Sequence, residues 1–143
     1  MKDWDRRGLG ILDREECLRR IGEVAVGRLG FLREGDLTIL PVNHVLHGED
    51  VTFRTTWGSK LQLAANGERV AFEVDNFHLD TESGWSVLVR GRTSIIEDPA
   101  LREELEQEAL ESWLPPSANS FWVRVHPEDI SGREIVRPQS RTR

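Results

Sequence analysis

A mainly β chain, folded as a closed or nearly closed antiparallel barrel with small flanking helices, is the architecture this sequence predicts. Three observations carry it. About seven short alternating stretches are separated by compact turn sequences. No regular strand–helix–strand alternation appears that would call for a parallel sheet. Closing the sheet on itself also removes the exposed edges that so many short strands would otherwise present.

The elements follow in order. In "LDREECLRRI", Asp13 is placed to cap a helix and Glu16 stands at the capping-box position, with Cys17, Leu18 and Ile21 at helical spacing. Residues 24–32, 37–46 and 50–56 alternate as strands, joined by the turn sequences "REGD" and "HGED", so hairpins are expected. Pro41 places the middle strand beside a bulge or at an edge. Ser59 to Asn66 reads as a short helix with Ser59 as cap, Gln62 at the box position and Asn66-Gly67 as the stop. "RVAFEVDNF" sets Val70, Phe72 and Val74 on one face, and "WSVLVRGRTSIIED" is a long strand with a bulge or bend expected at Gly91. Asp98-Pro99 starts a second full helix, with Leu101, Leu105, Ala109 and Leu110 as its apolar stripe and its acids as a solvated face. "FWVRV" and "ISGREIV" are read as two last strands separated by "HPED". The chain is expected to be one domain over residues 1–143, with 1–11 and 137–143 as flexible tails.

With 143 residues, a net charge of −6 and 31% charged residues, the composition fits a soluble globular protein and argues against a general nucleic-acid binder. No stretch approaches the roughly 18 apolar residues of a membrane span. The single cysteine, Cys17, can form no internal disulfide, which points to a reducing, cytoplasmic home.

The chain has two lysines, Lys2 and Lys60, and otherwise uses arginine for its basic residues. Lys60 follows Gly58-Ser59 at the start of the short helix, where the helix dipole disfavours a cation by about 0.3–1 kcal/mol. A bound phosphate would reverse that sign, with Arg54, Thr55, Ser59 and Lys60 as its ligands. The plain alternative is an ordinary cap followed by an exposed lysine. His44 and His47 are three apart and fall on opposite faces of a strand, so no metal site is expected from them. His78 and His126 read as loop and turn residues, and Arg124 as either a cleft residue or half of an ion pair. Trp4, Trp57, Trp85, Trp113 and Trp122 are assigned to core or interface, with Trp57 and Trp85 nearest any ligand. No paired-carboxylate, zinc or Ser-His-Asp pattern stands out.

The segments "VAVGRLGFL", "LTILPVNHVL", "VTFRTTWGSKLQLAANGERVAFEVD", "GWSVLVRGRTSIIED" and "FWVRVHPEDISGRE", in this order, resemble the pyridoxamine 5′-phosphate oxidase-like family from about Leu12 to Ile135. The resemblance implies a six-stranded Greek-key split barrel, a homodimer, and FMN in clefts at the subunit interface. It implies that Arg54, Thr55, Ser59 and Lys60 hold the phosphate and that Pro41, Val42, Asn43 and His44 run beside the flavin ring. Trp85, Ser86 and Val87 would come from the partner subunit. An FMN-dependent oxidoreductase acting on a small substrate is the activity implied. Deazaflavin or haem carriers and sensors share the fold, with His44 or His47 as candidate axial ligands for haem. An interaction domain with an empty cleft is a third reading. "SGREIVRPQSR" lacks the arginine–leucine–histidine stretch of vitamin B6 oxidases, and Ser131-Gly132 replaces a tryptophan that often touches the flavin. Flavin binding is therefore expected without vitamin B6 synthesis.

Overall fold

Residues that alternate in sequence alternate in burial: along Arg69–His78, Val70, Phe72 and Val74 turn inward while their neighbours stay outside. The computed structural model describes residues 3–109 and 119–136. Leu110, Trp113, most of the 114–120 loop and the 137–143 tail lie outside the described residues.

The elements are β1 (Asp3–Trp4), β2 (Gly10–Leu12), α1 (Arg14–Glu23), β3 (Val26–Arg33), β4 (Asp36–His47), β5 (Asp50–Thr56), a 3-10 helix (Lys60–Ala64), β6 (Arg69–His78), β7 (Ser83–Ile95), α2 (Pro99–Glu108) and β8 (Ser120–Ile135). Six strands close a ring in the order β8-β5-β4-β3-β6-β7, with β7 returning to β8. Strands β3, β4 and β5 form a meander and β6 comes back beside β3, which is the Greek-key order.

Local signals place the elements. Asp13 accepts a hydrogen bond from the Glu16 amide at 2.8 Å to start α1, and Asp98 accepts one from Ala100 at 3.1 Å to start α2. The β3–β4 turn holds Glu34 and Gly35 at positive φ, the form a tight hairpin takes. Phe53, Phe72, Leu29, Val87 and Val123 fill the barrel, each fully buried side chain contributing about 1.5–3 kcal/mol. Helix α1 adds Cys17 and Ile21 to that core, while α2 lies outside it, with Leu105 against Ile96 and Trp122.

Three expectations are corrected. The two last strands are one: β8 runs through "HPED", because a bulge opposite Arg90 and Gly91 absorbs Glu128 and tolerates the missing N–H of Pro127. Gly91 is required there, since a Cβ would stand 2.1 Å from the His126 carbonyl oxygen. His126 is therefore a strand residue, and His78 ends β6. The sequence reading placed no element before the first helix, yet β1 and β2 pair and β2 joins β8 through Gly10↔Glu134. The Asp5 carboxylate organises that hairpin, accepting from the amides of Arg7 and Leu9 and from Arg133 Nε at 3.2 Å.

Candidate functional site

Strands β4 and β5 pair only from His44↔Phe53 to His47↔Asp50 and then part. Beyond the parting point, Pro41, Val42 and Asn43 pair with β3 alone, and Arg54, Thr55 and Thr56 pair with β8 alone. The two segments expected to bind a flavin ring and its phosphate thus face each other across one mouth in the barrel wall. Their facing edges carry main-chain groups with no strand partner among the described residues, so the mouth can offer them to a ligand. The edge position expected for Pro41 is what the pairing shows.

The phosphate-type residues do not all point one way. Arg54 and Thr55 are neighbours on a strand, so their side chains leave on opposite faces. The Thr55 hydroxyl is buried toward the 3-10 helix. Ser59 Oγ donates to the Thr56 carbonyl at 2.7 Å, which leaves it to accept from Thr55 Oγ1 at 2.8 Å. Ser59 makes no side-chain cap; instead Gln62 reaches back to accept from the Gly58 amide. The helix is a single five-residue 3-10 segment, so its dipole is smaller than that of the helix expected from the sequence. Lys60 is exposed and forms no hydrogen bond or ion pair to the described residues. Gly58 holds φ +86°, which shapes the turn before it.

Arg54 goes the other way, beneath α2. Its side chain is 7% exposed, bonds Glu106 Oε2 at 2.8 Å and lies 5.8 Å from the centre of the Trp122 ring. Glu106 Oε1 in turn accepts from Trp122 Nε1 at 2.6 Å. Sequence reasoning missed Glu106, which it had placed on a solvated acidic face; its partner is 52 residues away, and no local pattern announces it.

Trp57 lies at the mouth, 47% exposed, stacked on Phe121 with ring centres 4.1 Å apart. His44 points into the barrel: Nε2 donates to the Ile21 carbonyl at 2.9 Å, the ring meets Phe72 edge-on, and Nδ1 makes no hydrogen bond of good geometry among the described residues. Burial pushes its pKa down, although the carbonyls of Ile21 and Val42 pull the other way. His47 lies on the opposite face, as its spacing requires. Arg124 takes the ion-pair option, 3.5 Å from Asp50, which also bonds His126. Burial raises the pKa of the Cys17 thiol, as suits a packing residue rather than a nucleophile.

Within one chain, Trp85, Ser86 and Val87 are remote from Arg54. Their β8 partners are Glu134, Arg133 and Gly132, whereas Arg54 pairs with Trp122, roughly 35 Å of strand away at ~3.3 Å per residue. Trp85 is buried with Arg20 over its ring at 5.4 Å. Gly132 cannot carry a side chain here, because a Cβ would meet Cys17 Sγ at 2.7 Å.

A closed Greek-key ring with a mouth between β4 and β5 defines the FMN-binding split-barrel fold. The family model for pyridoxamine 5′-phosphate oxidase matches residues 13–134, and the chain belongs to that family. An FAD binding protein from Mycobacterium smegmatis is 38% identical, with a TM-score of 0.72 over 88% of this chain and 99% of its own. A conserved protein of unknown function from Corynebacterium diphtheriae is 34% identical, with a TM-score of 0.71 over 90% and 98%. The uncharacterized protein Rv0080 of Mycobacterium tuberculosis is 33% identical over 130 residues, covering 87% of this chain and 84% of the relative. No helix among the described residues is long and apolar enough to cross a membrane.

Proposed function

We propose that this chain is an FMN-binding flavoprotein acting as an oxidoreductase on a small substrate, with the flavin seated in the β4–β5 mouth. The observation that carries the reading is the parting of those strands between Pro41–Asn43 and Arg54–Thr56, with Lys60 exposed nearby and unpaired among the described residues. In that arrangement Lys60 and the Thr55–Ser59 hydroxyl pair meet the phosphate, while the bare edge of β4 meets the polar rim of the ring. Arg54 supports the phosphate loop from behind rather than by direct contact. The flavin itself carries the redox chemistry; the protein binds, orients and shields it.

A homodimer completes the site, with the Trp85–Val87 stretch of one copy set beside the mouth of the other and Ser86, between two buried side chains, facing outward. Leu32, Leu37 and Ile39 are 60%, 87% and 70% exposed beside a groove of about 490 Å³, an apolar face that a second copy would cover. The mycobacterial FAD binding protein supports a second reading, in which FAD replaces FMN. Titration of the purified protein with FMN and FAD, read by flavin fluorescence, tests both. Saturable binding is expected, and the tighter ligand identifies the cofactor. A protein that binds neither flavin loses the proposed function.

A further inference from the structure

Helix α2 and the end of β4 converge away from the mouth. His47 is the last residue of β4, and Glu104 and Glu108 stand one turn apart on α2. Their ligand-type atoms, one imidazole nitrogen and two carboxylate oxygens, all lie within 4.8 Å of one another. None of the three side chains makes an ion pair or hydrogen bond to the described residues, so two carboxylates sit together with no cation from those residues beside them. They also lie in the second half of α2, the end where the helix dipole disfavours negative charge, and the last turn carries no basic residue. A solvated acidic face has no need to gather its carboxylates around an imidazole.

A second observation lies beside the cluster. A cleft of about 410 Å³ is lined by Glu108, Leu46, Val45 and His44. His44, 5% exposed, lines its far side, with Nε2 committed to Ile21 and the ring turned into the barrel against Phe72. The cleft thus runs from one of the three clustered side chains to the wall of the barrel and leaves solvent access beside the cluster.

We propose that His47, Glu104 and Glu108 form a binding site for a divalent ion of the zinc type, with its remaining coordination positions open to water. One imidazole nitrogen and two carboxylate oxygens are donors that zinc accepts. The imidazole selects against magnesium and calcium, which take oxygen ligands. The ion would pin the second half of α2 to the barrel, independently of any flavin in the β4–β5 mouth.

The test is calorimetric titration of the EDTA-treated, buffer-exchanged full chain with zinc chloride, and separately with magnesium chloride. One equivalent of zinc is expected to bind and to raise the melting temperature. His47→Ala, and independently the surface double variant Glu104→Gln/Glu108→Gln, should each weaken binding by more than the roughly 10–100-fold that an outer-shell change costs. Circular dichroism checks that each variant is folded, and the exposed double variant decides the matter should His47→Ala not fold. His126→Ala, at the other histidine of this barrel end, should bind as the parent does. Absence of saturable zinc binding, equal affinity in parent and double variant, loss of binding in His126→Ala, or full competition by magnesium would each overturn the site.

Discussion

Arg54 and Lys60 are cations of one strand–turn unit, six positions apart, and the molecule treats them oppositely. Beneath α2, Arg54 is locked by a carboxylate and an indole into a part of the structure that is largely satisfied. At the mouth, Lys60 is exposed, next to a turn whose side-chain hydroxyls bond mainly to each other. Both residues read as phosphate ligands when only charge and spacing are counted. The difference teaches that a cation's partners, rather than its type, separate one committed to the structure from one left open to a ligand.

The comparison can be broken by measurement. The largest effect is expected from Glu106→Ala, which removes acceptors from both Arg54 and Trp122; urea unfolding should show a loss of about 1.5–3 kcal/mol, as for a charged hydrogen bond. Lys60→Ala should leave stability within about 0.5 kcal/mol. The same variant should weaken flavin binding by about 1.5–3 kcal/mol, read as a shift in the dissociation constant. Equal stability losses in the two variants would erase the distinction. Thr55→Val keeps the shape but breaks the bond to Ser59, and should cost about 0.5–1.5 kcal/mol of stability.

The smallest effects are in pH dependence, and they have opposite signs. Hydrogen bonds from the Leu9 and Arg7 amides, with the Arg7 side chain, lower the Asp5 pKa from its ordinary 3.8 to about 2, despite some opposing burial. Its contribution is therefore present above pH 3.8 and lost as pH falls through about 2, and Asp5→Asn should flatten the acid limb of a stability–pH curve. Burial, followed by the neighbouring Asp75, raises the Glu73 pKa to about 7 against the opposing pull of Arg28. Its contribution is full below the ordinary value of 4.5 and is lost as pH rises through about 7, a decline that Glu73→Gln should remove.

What the sequence made legible was local. Asp13 and Asp98 as caps, the inward set Val70, Phe72 and Val74, and the β3–β4 and β4–β5 hairpins all depend on neighbours a few residues away, and all appear as read. Period two would also have shown that Arg54 and Thr55 cannot face the same ligand, a signal present in the sequence but outweighed by the phosphate pattern. The rest depended on distant partners. That Glu106 would meet Arg54, that β2 would add to β8, and that Glu104 and Glu108 would reach His47 are consequences of how α2 and the N-terminal hairpin dock on the closed ring. The continuity of β8 through a proline was hidden for the same reason, since only the register with β7 makes room for Glu128.

One consequence of β8 concerns the order in which the molecule can be made. This strand closes the ring against both β5 and β7 and receives β2, so the N-terminal hairpin, the meander and the β6–β7 ribbon all depend on a strand that follows them in the sequence. During synthesis the ribosome exposes the edges of β5 and β7 well before residues 120–135 emerge. At ~5–20 residues per second the nascent chain spends seconds with those edges unpaired. Pairing partners as distant as Gly10 and Glu134 give the fold a high contact order, which slows ring closure further. A newly made chain is thus most vulnerable to strand-to-strand aggregation in the interval before residues 120–135 emerge, and a nonsense mutation upstream of β8 would leave the barrel permanently open.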